Sequence, residues 1–202
     1  MLDILLLTEA IVPEAKTFTQ RYGLRDDELL VRTRFLDDQL GKQYGLPLTD
    51  LCIPHSQCVQ LPLQEERCII TENKMNFLTL PAFAHTFALF GEGSTVSSLG
   101  AIPWLATCPI FYWGDLDAHG FQILSRLRET FPHVISLMMD ANTLHTFAEF
   151  CVAGVPYALH HLPHLTPEEQ TLFQHLARKN IRLEQGRIEH RYALQCLRSH
   201  LQ

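Results

Sequence analysis

The sequence predicts an α/β protein: a mostly parallel four-stranded sheet flanked by helices, with an N-terminal extension and C-terminal helices. Three observations predict it. Short apolar runs at 68–71, 86–90, 109–113 and 133–139 have the length and composition of strands buried on both faces. Stretches suited to helices fall between them, which argues for crossover connections and parallel pairing. Acids stand at the ends of two of the runs, where parallel sheets bind ligands: Glu72 after the first, Asp115 and Asp117 after the third.

Taken in order, residues 1–22 read as a helix broken by Pro13. Leu29 to Leu36 alternates charged and apolar residues, which suits a strand or edge element. Residues 41–63 hold several Gly and Pro and read as a loop with short extended pieces. Residues 1–66 together are expected to be an N-terminal extension and linker elements packing on the core, and 67–202 the α/β domain with its helical C-terminal part. Within that domain CIIT at 68–71 is a strand, 73–80 a short helix stopped by Pro81, and TFALF at 86–90 a second strand followed by the turn GEGS. A helical stretch at 94–107, interrupted by Pro103, leads to the third strand, PIFYW at 109–113. Residues 119–131 carry Phe121, Ile123, Leu124, Leu127 and Phe131 at helical spacing, and HVISLMM at 133–139 is the fourth strand, ending at Asp140. Beyond about Thr143 the chain reads as helical. Thr166, Pro167 and Glu169 form the signature of a capping box, and Leu183 to Leu201 reads as one amphipathic helix with an interior Gly.

Composition narrows the function classes. A 47% hydrophobic, 19% charged chain of 202 residues is an ordinary globular one. Its six Cys residues form no CxxC pair and mostly lie in apolar runs, which reads as reduced core thiols rather than a zinc site or a disulfide framework. The apolar run Leu2 to Leu7 has no basic flank and is too short to span a bilayer, so a cytoplasmic protein without a membrane partner is expected. A formal net charge of −6 argues against a whole-surface grip on nucleic acid, but not against a local site where a metal ion meets phosphate.

The acids have the chemistry of such a site. Magnesium takes hard oxygen ligands and keeps several waters, so two or three carboxylates suffice. Side chains in extended chain alternate, so the two carboxylates of a D-x-D point the same way, and a Glu from another strand end can converge on them. Two carboxylates about 5 Å apart repel by roughly 3 kcal/mol at an effective dielectric near 20, a penalty that a divalent ion removes. The ordinary alternative is that these acids are turn and cap residues, with Asp115 capping the helix that starts near His119. A D-x-D alone favours that alternative; the strand-end Glu shifts the balance.

ITENK at 70–74 and FYWGDLDAHGFQILSRLR at 111–128 strongly resemble the C-terminal domain of the Wadjet component D (JetD) family, a Toprim class related to the topoisomerase VI A subunit. VRTRFLD at 31–37, FGEG at 90–93, AIPWL at 101–105, LMMDANTL at 137–144, LTPEEQ at 165–170 and RLEQ at 182–185 extend the resemblance over nearly the whole chain from about Arg21. It implies a Toprim-like fold in which Glu72, Asp115 and Asp117 hold Mg2+ (or Mn2+) and serve as the catalytic residues. It implies a DNA endonuclease of a plasmid or phage defence system, hydrolysing phosphodiester bonds, with DNA and SMC-like complex subunits as partners. Two departures stand out. Full-length relatives carry an N-terminal region with a winged-helix-type DNA-binding domain before the Toprim part. Residues 1–22 look like the segment that follows it. The expectation is a fragment, a split gene product whose N-terminal domain comes from a separate chain, or a Toprim-only relative. The family also continues RLEQ with an acid, where this chain has Gly186. No tyrosine is nominated as a covalent nucleophile, so cleavage is expected to be hydrolytic.

Accessory residues are read both ways. His119 is either a phosphate or metal-water contact or a plain first-turn residue. Lys74 is either a phosphate ligand or a solvated lysine, and Glu184 either reaches the site or faces solvent. Asp140 is either an outer acid of the site or a helix cap, and Gly91 and Gly93 serve either close approach or a tight turn. The histidines around His160, His161 and His164 have no metal spacing. Competing with the nuclease are a non-catalytic interaction or homodimerisation module, and an enzyme acting on another phosphate substrate.

Overall fold

The computed structural model describes residues 2–24, 28–46, 48–63, 65–91, 96, 98–158 and 160–201. Its contacts divide the chain into two units, Met1–Leu30 and Val31–Gln202.

In the first unit the expected helix over 1–22 is replaced by three short pieces: α1 (Leu2–Leu5), a 3-10 turn (Thr8–Ala10) and α2 (Phe18–Arg21). Pro13 brings no N–H for a continuing ladder, and the chain doubles back so that Val12 N–H donates to the Arg21 carbonyl. Arg21 and the Tyr22 hydroxyl both donate to Asp3 at 3.0–3.3 Å.

In the second unit β1 (Leu30–Phe35, its first residue being the last of the first unit), β2 (Asp50–Pro54), β3 (Arg67–Thr71), β4 (Thr86–Phe90), β5 (Ile110–Trp113) and β6 (Ile135–Ser136) form one sheet in the order β2-β1-β4-β3-β5-β6. The sheet therefore has six strands, not the expected four. Residues 31–66, read above as an extension on the core, supply two of them. The centre is parallel: β3 pairs with β4 and β5, and β5 with β6, while β1 runs antiparallel to β4. Cys68, Ile69, Ile70, Phe87, Ala88, Leu89, Ile110 and Tyr112 are wholly buried, which explains why these strands read as unbroken apolar runs. Residues 133–139 contribute only two paired residues. Leu137 N–H already donates to the Tyr112 carbonyl, and Met138 takes a left-handed φ of 57°, which turns the chain away.

Helices flank this sheet. α4 (His55–Cys58) and the end of α3 (Asp38–Gln43) lie in the stretch 41–63 read as loop with short extended pieces, of which β2 is one, and α5 (Lys74–Thr79) follows β3 as expected. In the stretch 94–107 Val96 and Ser98 are helical, and 3-10 turns follow at Leu99–Ala101 and Pro103–Ala106 in place of a continued helix; 94, 95 and 97 fall outside the described residues. α6 (Ala118–Thr130) is the predicted crossover helix, and α7 (Ala141–Thr146) follows β6. α8 (Pro167–Lys179) carries the full capping box, with both reciprocal Thr166–Glu169 bonds present. Glu169 also accepts from Arg128 of α6 and from Ser136 of β6, so one carboxylate caps α8 and ties it to the sheet and the crossover helix. Two-residue strands β7 (Val152–Ala153) and β8 (Ile181–Arg182) pair antiparallel, outside anything the sequence predicts. The final stretch is not one helix. Leu183 bridges to Leu116, Gln185–Arg187 is a 3-10 turn containing Gly186, and only α9 (His190–Leu201) is α-helical.

Among the described residues no helix is long and apolar enough to cross a membrane. Cys58, Cys68 and Cys108 are buried free thiols, and burial pushes Cys58 up to about 11 and Cys108 up to about 12.

Candidate acidic site at the strand ends

Parallel register brings the acids together. Thr71 lies opposite Trp113, so β3 and β5 leave the sheet side by side, one into Glu72 and the other into Gly114 and Asp115. Ile70 pairs with Tyr112, and Glu72 stands two residues beyond Ile70, on the same face. The Tyr112 hydroxyl thus runs along that face and donates to Glu72 Oε1. Gly114 keeps this space open: a Cβ there would collide with the Tyr112 hydroxyl and lie 2.7 Å from Glu72 Oε1.

The D-x-D sits on a second, smaller ladder. Leu116 and Leu183 exchange backbone hydrogen bonds of 3.0 and 3.1 Å in an antiparallel bridge. Alternation then turns the residues on either side of each leucine to one common face: Asp115 and Asp117 from one strand, Arg182 and Glu184 from the other. Arg182 grips Asp115 Oδ2 with Nη2 at 2.6 Å and Nε at 3.2 Å. It also lies 3.5 Å from Asp117 Oδ2 and 3.6 Å from Glu184 Oε1. One guanidinium therefore faces three carboxylates.

Gln185 joins the two ladders. Fully buried, it donates through Nε2 to the Thr71 hydroxyl, accepts the Asn73 backbone N–H at 2.9 Å, and gives its own backbone N–H to Asp115 Oδ1 at 2.7 Å. Asp117 has a second task. Its Oδ1 accepts the Gly120 N–H at 2.8 Å and N-caps α6, so the cap expected at Asp115 belongs to Asp117. Gly120 allows the loop to fold beneath the helix, because a Cβ there would strike the Asp115 carbonyl oxygen.

These contacts set the electrostatics. Burial pushes the Glu72 carboxyl up to about 7, reinforced by Asp115 and Asp117 and opposed by the Tyr112 hydrogen bond and Arg182. Tyr112 is pushed well above the usual phenol value by burial and by Glu72. Glu72 thus has a hydroxyl as its nearest donor, while Asp115 has a guanidinium and a backbone amide.

The structure brings together Glu72, Asp115, Asp117 and Glu184, the last through Arg182 at 3.6 Å. Other expected accessory residues lie apart. Asp140 is exposed and N-caps α7, accepting from Thr143 N–H at 2.7 Å. Lys74 is an exposed first-turn residue of α5, behind the N-cap Asn73. His119 is exposed and meets Tyr157 edge-on, 5.1 Å between centroids. Gly91 serves packing, since a Cβ would lie 2.8 Å from Val96 and 3.0 Å from Ile70; Gly93 lies outside the described residues. Gly186 sits in the 3-10 turn with Asn73 Nδ2 3.3 Å from where its Cβ would be, so it costs no α-helix. Sequence reasoning missed Tyr112, Arg182 and Gln185 as site residues. The only signal for the last two was their presence in RLEQ.

Whether the residues suit a divalent metal has two answers. Three carboxylates at strand ends, with a Glu72 that has no cation in direct contact, fit a hard ion in donor chemistry. As they stand, Asp115 is turned to Arg182 and Gln185, and among the described residues no three His, Cys, Asp or Glu side chains are arranged to hold a metal.

Residues 23–197 match the family model described as Wadjet protein JetD, C-terminal. No curated protein matches the chain.

Proposed function

The chain belongs to the Wadjet JetD C-terminal family and is a Wadjet defence-system component; from that premise we propose that it is a Toprim-type, magnesium- or manganese-dependent DNA endonuclease domain. The observation that carries the reading is the convergence of Glu72 with the D-x-D across two ladders, fastened by Gln185. Parallel sheets bind ligands beyond their strand ends, and this is where the acids stand.

In this reading Glu72, Asp115 and Asp117 hold the ion. Bound there, it supplies Lewis acidity toward a phosphodiester. Tyr112 fixes one oxygen of Glu72, and no hydrogen bond from a described residue reaches the other, which is left to orient the attacking water and take its proton. Asp117 is held rigid at the positive end of α6. Association with the other Wadjet components, SMC-like subunits among them, brings DNA to an acidic surface that has no whole-surface charge attraction for it.

Glu72→Ala is expected to abolish metal-dependent nicking of supercoiled plasmid while circular dichroism shows an intact fold. Undiminished nicking by the folded variant would sink the assignment. A second reading, a non-catalytic interaction or dimerisation module, draws support from the Arg182–Asp115 pair, which already neutralises one of the three acids. Calorimetry decides between them: no binding of Mg2+ or Mn2+ at millimolar concentration favours the module.

A further inference from the structure

Arg182 occupies an unusual place. Its guanidinium lies against both acids of the D-x-D, at 2.6 Å from Asp115 and 3.5 Å from Asp117, with Glu184 at 3.6 Å. It gets there by backbone pairing, since the Leu116–Leu183 bridge puts it on the aspartates' face. It is only about one-third exposed, so its attraction to the acids is screened less than at an open surface. A cation is already resident where the acids would receive one.

We propose that Arg182 and a divalent cation are alternative occupants of the space between Asp115 and Asp117, so that Arg182 gates metal binding. The proposal rests on the metal-site reading and deepens it. With Arg182 in place the aspartates are neutralised and held to Gln185. For an ion to bind, Arg182 must release Asp115 Oδ2, giving up two charge-assisted hydrogen bonds. Arg182 thereby stabilises the aspartates without an ion and lowers their affinity for one. Arg187 is the natural control. It is a guanidinium in the same segment whose recorded contact is Glu184 at 3.9 Å, not the aspartates.

The test is calorimetric titration of Mn2+ into EDTA-treated, desalted wild type, Arg182→Gln and Arg187→Gln, with melting temperatures measured in EDTA and in Mn2+. Arg182→Gln is expected to bind Mn2+ roughly tenfold or more tightly than wild type, because the ion no longer displaces charged hydrogen bonds. Its melting temperature is expected to fall in EDTA and to recover in Mn2+, whereas Arg187→Gln stays near wild type in both. Equal or weaker Mn2+ binding by folded Arg182→Gln, beside measurable wild-type binding, overturns the gate and leaves the metal site standing. An equal gain in Arg187→Gln also overturns it, since a general loss of positive field would then suffice. No binding by any of the three proteins overturns the metal site and the gate with it. Should Arg182→Gln fail to fold, Arg182→Lys keeps the charge without the two-nitrogen grip and is expected to bind Mn2+ more tightly than wild type; unchanged affinity overturns the gate.

Discussion

Gln185 hydrogen-bonds Thr71 across 114 positions of sequence, its amide nitrogen donating to the threonine hydroxyl. The same side chain accepts from Asn73 N–H, and the same residue's backbone holds Asp115. One buried amide thus sets the distance between the strand end that carries Glu72 and the loop that carries the D-x-D.

Gln185→Ala is expected to destabilise the fold by roughly 2–4 kcal/mol, because it leaves the Asn73 N–H and the Thr71 hydroxyl in a buried setting without their partner. Gln185→Leu, similar in volume, is expected to recover little of that loss. Urea unfolding of the three proteins checks this; a near-wild-type midpoint for the leucine variant would mean that volume, not hydrogen bonding, holds the two ladders together.

Asp117 both caps α6 and stands in the acid cluster, and two substitutions separate those tasks. Asn is as good an N-cap as Asp, so Asp117→Asn is expected to keep stability within a few tenths of a kcal/mol. Asp117→Ala is expected to lose about 1 kcal/mol with the cap. Both are expected to weaken Mn2+ binding, since both remove the carboxylate. Thermal melts paired with metal titrations would show whether the two effects part in this way.

Gly120 and Gly154 form a contrasting pair. A Cβ at Gly120 meets the Asp115 backbone carbonyl, which no side-chain rotation can move, whereas at Gly154 the nearest atoms lie 3.4–3.6 Å away. Gly120→Ala is expected to cost about 2–3 kcal/mol, at the upper end for overpacking, and to displace the D-x-D loop. Gly154→Ala is expected to stay within about 0.5 kcal/mol of wild type, as substitutions away from such features do. Chemical denaturation of both variants reads the difference.

Arg128 and Glu169 form an almost fully buried pair linking α6 to α8. Burial alone would raise the Glu169 carboxyl, but hydrogen bonds from Arg128, Ser136 and Thr166 outweigh it and hold the group below its ordinary value. A depressed folded-state value contributes stability above the unfolded-state value near 4.5, lost as pH falls through the lower folded-state value. Arg128→Ala is expected to cost roughly 3–5 kcal/mol near neutral pH by stranding the carboxylate, and less in acid, where the variant's buried Glu169, no longer held down by Arg128, takes up a proton. Unfolding curves at pH 7 and pH 4 test this; an equal loss at both would rule out the charge as the cause.

How far the sequence could be read follows from where the information lies. CIIT, TFALF and PIFYW are legible because a strand buried on both faces writes its state into consecutive residues. The Thr166–Glu169 box is legible because both of its bonds close within four residues. HVISLMM misleads: it has the composition of a long strand, but Met138 turns left-handed after two paired residues. β7 and β8 are too short to leave any periodicity, and β1 joins the sheet antiparallel through partners more than fifty residues away.

The sequence by itself determined the α/β class, the parallel centre of the sheet, the crossover helix and the placing of Glu72 and the D-x-D at strand ends; that those two strands are neighbours was decided by the fold. Each of the former depends on hydrophobic runs and caps that act over a few residues. Only the tertiary structure decided that Arg182 faces the aspartates, that Gln185 joins them to Thr71, and that Tyr112 holds Glu72. The physical reason is register. A single bridge between Leu116 and Leu183 chooses which side chains share a face, and that pairing is fixed by packing between segments far apart in the chain.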